Sequence, residues 1–389
     1  CYTSRMDTIL FITDLHAGSR LAELDGIREV AKAQGWHVEE IELQRLQQPF
    51  AKVLDYWRPV GCIVEGSSNL LPEASSLAGL PVVYLDPGEA PWTDPATFAV
   101  MNDDAALAEA AHRELAKGDC PHFAFVGWGP RVFWSRRRRT RFTDVLAATG
   151  RTCHVLEDPW TLGNKNDFLQ RLNPWLAALP KPCGVFAVND HFASAVLDAC
   201  RSLDLAVPRD LTVVGVDDDP AFCDNQSPSL SSVRPDFRRG GRLSAELLAA
   251  RLADPALPPR KVTYAPVSVT SRLSTRRLTL FGRPLVAALD LIRRSACDGL
   301  KAADVVAVLG VSERLAETRF KAATGHRITD EITAVRLDRV LEHLRNPSQA
   351  IEPIAHLCGW RSAVYLKRLF KRRFGMTMRA WRAQELSHP

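Results

Sequence analysis

Short runs of β-branched and other apolar residues alternate with helical patterns from the start of the chain. The run Thr8-Ile9-Leu10-Phe11-Ile12 predicts a buried strand, and 21–34 an amphipathic helix stopped by Gly35. Further strands are predicted at 61–65, 82–85, 122–126, 184–188 and 212–216. Helical patterns lie between most of them, notably 103–117, 137–148, 167–178, 190–202 and 240–253. Near-continuous apolar strands alternating with helices predict parallel sheets covered on both faces. The alternation extends over about 270 residues, more than one ordinary doubly wound domain holds, so two α/β lobes are expected.

The last hundred residues follow a different pattern, a self-match with a period of fifty. One copy runs from Ser312 to Phe320 and Lys321, with Gly325 after it; the other from Ser362 to Phe370 and Lys371, with Gly375 at the same offset. A short helical pattern and a glycine precede each serine, at 302–309 with Gly310 and at 353–358 with Gly359. Short helix, glycine turn, serine N-cap and longer helix predict a helix-turn-helix, here twice, with both serines capping. An amphipathic helix over 329–344, with Ile332, Val335, Leu341 and Leu344 near one face, is expected to join the copies.

Charge separates the same two regions. The 389 residues carry 50 Lys+Arg against 45 Asp+Glu, a formal net charge of +5. Residues 285–389 alone hold 18 Lys+Arg and 11 Asp+Glu, a net of +7, which leaves residues 1–284 at −2. A near-neutral body with a basic tail fits a nucleic-acid-binding module attached to something else. With 46% hydrophobic and 24% charged residues, the composition argues against disordered, collagen-like and disulfide-scaffold classes. No apolar stretch approaches the length of a membrane span, and the first residues lack a basic segment followed by an apolar run. A cytoplasmic protein without a signal peptide or membrane partner is therefore expected. The nine cysteines include no C-x-x-C spacing, so buried reduced thiols are expected rather than a zinc or redox motif.

Ligands of open parallel sheets bind beyond the carboxyl ends of the strands. There the chain delivers Asp14 and His16 after the first strand, and Trp134 with the arginine run 136–139 after the strand at 122–126. Asn189 and Asp190 follow 184–188, and Asp217-Asp218-Asp219 follow 212–216. Planar amide, carboxylate and guanidinium groups satisfy paired hydroxyls, and an indole face stacks on C–H surfaces, so the set suits a sugar. Each residue also has a plainer role: Asn189 and Asp190 can cap a helix, Asp217 can open a turn, and the arginines can be a solvated helix start. Three consecutive aspartates do not converge on one metal. With no G-x-S-x-G, Walker loop, G-x-G-x-x-G or H-E-x-x-H, an enzyme is not expected, nor any cofactor or metal.

In the tail, Phe320 and Phe370 fall on the apolar side and are expected in the core. Glu313, Arg314, Glu317 and Thr318 of the first helix, and Arg361, Ala363, Val364, Lys367 and Arg368 around the second, are placed to meet base edges in a major groove. Lys321, Lys371, Arg372 and Arg373 are placed for phosphates.

The tail resembles the DNA-binding domain of AraC-type transcription activators. The resemblance rests on Cys358-Gly359-Trp360-Arg361-Ser362, Tyr365-Leu366, Phe370-Lys371-Arg372-Arg373-Phe374-Gly375-Met376-Thr377 and Trp381-Arg382. Leu366 stands where a Phe is usual and Met378 where a Pro is usual, both packing or turn positions. Residues 7–272 resemble the effector domain of LacI-type repressors, a periplasmic-binding-protein fold. That resemblance is carried by Gly184-Val185-Phe186-Ala187-Val188-Asn189-Asp190, the run 207–218 and Leu230-Ser231-Ser232-Val233. The combination is similar to the xylose operon regulators. It implies an α/β, two-lobed sensor with parallel sheets over 1–272, a connector over 273–284 and an all-α double helix-turn-helix domain over 285–389. It further implies sugar contacts at Asp14, His16, Trp134, Arg138, Asn189, Asp190 and Asp217. The implied function is a sugar-responsive regulator, the implied partners being double-stranded DNA, RNA polymerase and a second copy of the chain, with the pentose xylose as effector and activation as outcome.

Overall fold

In the computed structural model the described residues are 6–13, 19–47, 49–66, 72, 74–129, 131–158, 165–276, 282–346 and 349–387. Asp14 and His16 lie outside them. The chain divides into two compact units: Cys1–Cys223 with Leu230–Thr275, and Asp224–Ser229 with Arg276–Pro389.

The first unit holds two six-stranded sheets. In chain order its first lobe contains β1 (Thr8–Thr13), α1 (Arg20–Gln34), β2 (His37–Glu42), α2 (Phe50–Trp57), β3 (Gly61–Glu65), β4 (Val82–Leu85), α3 (Glu89–Thr93) and β5 (Phe98–Asn102). The chain then builds α4 (Asp104–Ala116), β6 (His122–Trp128), α5 (Phe133–Ala147), β7 (Cys153–Asp158), α6 (Lys165–Ala178), β8 (Cys183–Ala187), α7 (Asp190–Ser202), β9 (Leu211–Val216), α8 (Pro220–Cys223) and β10 (Ser231–Pro235). It returns to the first lobe through α9 (Phe237–Ala253) and β11 (Lys261–Tyr264), and ends the second sheet with β12 (Pro266–Thr270).

The strand orders are β11-β5-β4-β3-β1-β2 and β12-β10-β9-β8-β6-β7. All pairs are parallel except β10 with β12. The six strands expected from apolar runs are present. Of the six strands the pattern omitted, β2 (HVEEIE, half-buried), β7, β11 and β12 lie at sheet edges where alternation or polarity dilutes the apolar run, whereas β5 and β10 are internal. β5 is buried throughout yet was also omitted, its Met and Asn weakening the β-branched signal.

Three crossings join the lobes, after β5, β10 and β11. They are tied by side chains: Asn102 Nδ2 donates to Tyr264 Oη at 2.8 Å and to Asp86 at 3.1 Å, and Tyr264 donates to the same carboxylate. The second lobe has one contiguous core on both faces of its sheet, including Phe125, Phe142, Phe168, Phe186 and Phe192. In the first lobe α1 and α9 cross so closely that a Cβ on Gly26 would strike the Arg238 carbonyl and one on Gly241 the Glu23 carbonyl. That close approach needs glycine on both helices, and it presses Glu23 into the lobe.

The second unit is helical: α10 (Gly282–Ser295), α11 (Ala302–Leu309), α12 (Glu313–Thr324), α13 (Ile328–Arg345), α14 (Ile351–Leu357), α15 (Ala363–Phe374) and α16 (Met378–Ser387). The repeat is realised as α11–α12 and α14–α15, each with a left-handed glycine between, Gly310 at φ 65° and Gly359 at φ 76°. Phe320 and Phe370 are fully buried, and α13 turns Ile328, Ile332, Leu337, Val340 and Leu344 inward. The capping expectation holds for one copy only. Ser362 accepts from Tyr365 N at 3.2 Å, whereas Ser312 occupies the N-cap without a side-chain bond. Among the described residues six cysteines are buried and two half-buried, and none is disulfide-bonded. No helix among them is long and apolar enough to cross a membrane.

Candidate functional site

The first site forms where the carboxyl ends of β3, β4, β6, β8 and β9 meet between the two lobes of the first unit. Arg138 is at its centre, inside α5 rather than at a solvated helix start, and only 6% exposed. Its Nη1 donates to Val188 O at 2.8 Å, its Nε pairs with Asp104 at 3.4 Å, and its guanidinium lies 5.0 Å from the Trp134 ring centre. Trp134 packs edge-on to Trp128 at 6.0 Å. The rest of the arginine run is also engaged: Arg136 with Glu89 at 2.6 Å, Arg137 with Asp104 at 2.7 Å, and Arg139 with Glu157 at 2.7 Å.

The three consecutive aspartates point to three different places. Asp218 pairs with Arg272 at 2.7 Å and accepts from Thr270 at 2.7 Å. Asp219 donates its backbone N–H to Asp190 at 2.8 Å and caps Ala221 N at 2.9 Å. Asp217 has φ 108° and Asp218 φ 54°, left-handed conformations that cost non-glycine residues of order 1–3 kcal/mol each. Asp86, directly after β4, is a third such residue, at φ 44°. Strain at these strand ends aims the carboxylates, and the Asp217 carboxylate is left without a hydrogen-bond or ion-pair partner among the described residues, its backbone N–H alone bonding to Val233 O at 3.0 Å.

Asn189 and Asp190 fill the plainer roles. Asn189 caps α7, accepting from Phe192 N at 3.0 Å. Asp190 is buried with both oxygens engaged, accepting from Ser232 Oγ at 2.6 Å, Asp219 N at 2.8 Å and Cys223 Sγ at 3.2 Å. It holds the end of β9 in place.

Four acidic groups escaped the sequence reading: Glu23, Glu65, Asp86 and Asp104. Glu65 ends β3 and Asp86 follows β4, so the strand-end rule applied to Trp134 and Asp217 would have found both. Glu23, in the first turn of α1, gave no such signal. Burial raises the Asp86 carboxyl to about 6, with Tyr264 and Asn102 opposing. Burial likewise raises Asp217 to about 7, opposed by Arg138 and reinforced by Asp219 and Asp86. Glu23 is pushed well up by burial and then by Glu65 and Asp86. Buried Glu23 Oε2 and Asn102 Oδ1 have no hydrogen-bond partner. The arrangement offers acceptors to a ligand rich in hydroxyl donors, beside one buried guanidinium and an indole face.

The second site is the exposed face of the helical unit. Glu313, Arg314 and Thr318 on α12, and Arg361, Val364, Lys367 and Arg368 on or just before α15, are exposed; Glu317 and Ala363 are half-buried. Lys321, Lys371, Arg372 and Arg373 are exposed at the far ends of the same helices. Thr318 Oγ1 bonds back to Arg314 O at 2.8 Å, and Lys367 pairs with Glu352 at 2.8 Å. The sequence reading missed Leu315 and Tyr365, 39% and 56% exposed at equivalent positions of the repeat. Exposed apolar side chains on the second helix of both helix-turn-helix motifs suit thymine methyls.

A family model of periplasmic binding protein-like domains matches residues 112–275, and one of helix-turn-helix domains matches 305–384. The xylose operon regulatory protein of Haemophilus influenzae is 30% identical over 286 residues, covering 73% of this chain and 74% of that one. Its counterpart in Escherichia coli K12 is 28% identical over 332 residues, 84% of each chain. A solved structure of the xylose-binding transcription activator xylR is similar over 98% of both chains, with TM-score 0.63 and 25% identity. The CelR–cellobiose complex, at 19% identity, TM-score 0.58 and 69% of this chain against 85% of that one, shares the fold of the first unit.

Proposed function

Since the chain belongs to the family of xylose operon regulatory proteins, we propose that this sugar-responsive, DNA-binding transcription regulator takes a neutral pentose, xylose first, as its effector and activates transcription as a homodimer in contact with RNA polymerase. In this reading Arg138, Asp217, Trp134 and Asn189 touch the sugar, Asp14 and His16 are assigned to the same set, and Asp190 fixes the end of β9. The domains are 1–272 for sensing, 273–284 for connection and 285–389 for DNA binding.

The observation that carries the reading is Asp217, a strained carboxylate without a protein hydrogen bond near a buried arginine. A carboxylate and a guanidinium together satisfy a vicinal diol. Glu23, Glu65, Asp86, Asp104 and Asp217 outnumber the arginines, which works against a phosphorylated effector despite the run at 136–139.

Sugar closes the lobes, and a ligand shifts that equilibrium only by its differential affinity for the closed state. Two chain connections carry the change to the helical unit. One is the connector, whose anchor Arg272 binds Asp218 beside the sugar contact. The other is the segment after β9 and α8: Asp224–Ser229 lies between stretches of the sensor in sequence, yet belongs to the helical unit.

Calorimetry with xylose, arabinose, ribose and a pentose phosphate tests the effector. Xylose should give heat and the phosphate none; no heat with any pentose overturns the reading. Asp217→Ala should abolish sugar binding while leaving the affinity for DNA without sugar unchanged, and an unaltered sugar affinity removes Asp217 from the site.

A further inference from the structure

Cys297 and Cys358 are separated by 61 positions but come together in the helical unit, where Cys297 packs against the core cluster that holds Cys358. Cys297 lies in the 3-10 turn Ala296–Asp298 ahead of α11, and Cys358 ends α14. The backbones also touch: a Cβ on Gly359 would sit 2.7 Å from Cys297 O and 2.9 Å from its Cα. Arg336 clamps the turn, donating to Ala296 O at 2.7 Å and Leu300 O at 3.3 Å, with its guanidinium 5.6 Å from the Trp360 ring centre. Cys358 is fully buried, whereas Cys297 is half-exposed and open to a small reagent.

We propose that Cys297 and Cys358 are an oxidisable thiol pair, closed to a disulfide by a peroxide, that staples the turn ahead of the first helix-turn-helix motif to the turn inside the second and thereby changes DNA affinity. The two thiols divide the chemistry. The neighbouring Cys358 thiol lowers the Cys297 thiol to about 7 against the cost of burial, and Arg339 and Arg336 add to the lowering while Asp298 opposes it. By contrast burial pushes Cys62, Cys153, Cys183 and Cys200 up to about 12. Cys297 is the nucleophile and Cys358, held protonated, the resolving thiol.

Cys297 thiolate attacks one peroxide oxygen and the O–O bond breaks. With hydrogen peroxide, the departing hydroxide takes the proton Cys297 released and leaves as water, giving a sulfenic acid. Cys358 sulfur then attacks Cys297 sulfur, the S–O bond breaks, and the second hydroxide leaves as water with the Cys358 proton. Two thiols are oxidised to one disulfide, and one peroxide is reduced to two waters. The sulfurs move to about 2 Å apart, which locks the Gly359 turn, and with it the start of α15, against Ala296–Asp298.

The test treats the full chain with hydrogen peroxide, maps cysteine state by mass spectrometry, and measures affinity for a duplex selected from a random pool by the reduced protein. A 297–358 cross-linked peptide, lighter by two hydrogens and reversed by dithiothreitol, is expected. Affinity should change at least about fivefold, the lower end of ordinary coupling between sites. Cys297→Ala, at a half-exposed position, should bind DNA equally before and after peroxide; Cys297→Ser serves if the alanine variant is unstable. Oxidation that stops on Cys297 with Cys358 still open to alkylation after denaturation overturns the proposal. So does a cross-link that leaves DNA affinity unchanged.

Discussion

Asp217 combines three properties that seldom coincide in one residue: a left-handed backbone, enclosure near other acids, and a carboxylate with no hydrogen bond among the described residues. Its raised pKa has a definite consequence. A carboxyl that binds its proton more tightly when folded favours the folded state below its unfolded pKa, and that contribution is lost as pH rises from about 4 to about 7. Asp217→Asn removes the ionisation, so the variant's melting temperature should gain on the parent's across that window. A hydroxyl donor is held best by the ionised form, so sugar affinity should rise with pH through about 7. Binding should therefore release a fraction of a proton. Calorimetric heats at pH 6.5 in buffers of different ionisation enthalpy would expose it, and identical heats would exclude Asp217 from direct contact. The strand-end pattern placed Asp217 without distinguishing it from Asp218 and Asp219, and the family resemblance singled it out with no physical reason attached. Only the turn, with two left-handed residues in succession, separates one side chain aimed at the cleft from two used to build it.

At the scale of elements, the strands legible in sequence were mostly central ones, whose unbroken apolar runs have one reading. Edge strands such as β2 and β11 carry alternating or charged residues and were lost among loops. The helix-turn-helix pair was legible because it occurs twice, and the repeat fixed its serines, phenylalanines and glycines together. The copies are nevertheless unequal. Gly310 has open space where a Cβ would go, whereas a Cβ on Gly359 would meet Cys297 backbone. Gly310→Ala should cost about 1 kcal/mol, for left-handed backbone alone. Gly359→Ala should cost several-fold more, because neither backbone can yield; equal melting shifts would refute the packed turn. On α15, Arg368→Ala should relax preference at one base position, worth about 1–3 kcal/mol there. Lys371→Ala should instead weaken all sequences alike and reduce the salt slope by about one. Binding to a randomised operator library at two salt concentrations separates the two roles.

For the whole molecule, dividing the charge at residue 284 located the DNA-binding part, since a net of +7 over 285–389 sets it apart from a body at −2. What sequence could not supply was the second connection between sensing and DNA binding, because nothing in Asp224–Ser229 reads as anything but a sensor loop. Its anchors are in the helical unit: Ser227 Oγ donates to Asp290 at 3.0 Å, Ser229 N donates to Asp290 at 3.2 Å, and Arg293 donates to Ser229 Oγ at 2.7 Å. Arg339 pairs with Asp224 at 3.1 Å. Asp290 is only 2% exposed and joins α10 to both serines, so it is the point at which the loop's position reaches the helices. Asp290→Asn preserves its shape but presents an N–H group where a carboxylate oxygen accepted from an N–H or O–H. Sugar affinity should be unchanged, because Asp217 and Arg138 are untouched. DNA affinity without sugar should also hold, because α12 and α15 keep their packing. The ratio of DNA affinities with and without sugar, a coupling commonly about 5–150-fold, should fall toward one. Ser229→Ala, which removes the side-chain contacts to Arg293 and Asp290 but keeps the Ser229 N–H bond to Asp290, should give an intermediate ratio. If the ratio in both variants equals that of the parent, the connector that begins after Arg272 carries the signal alone.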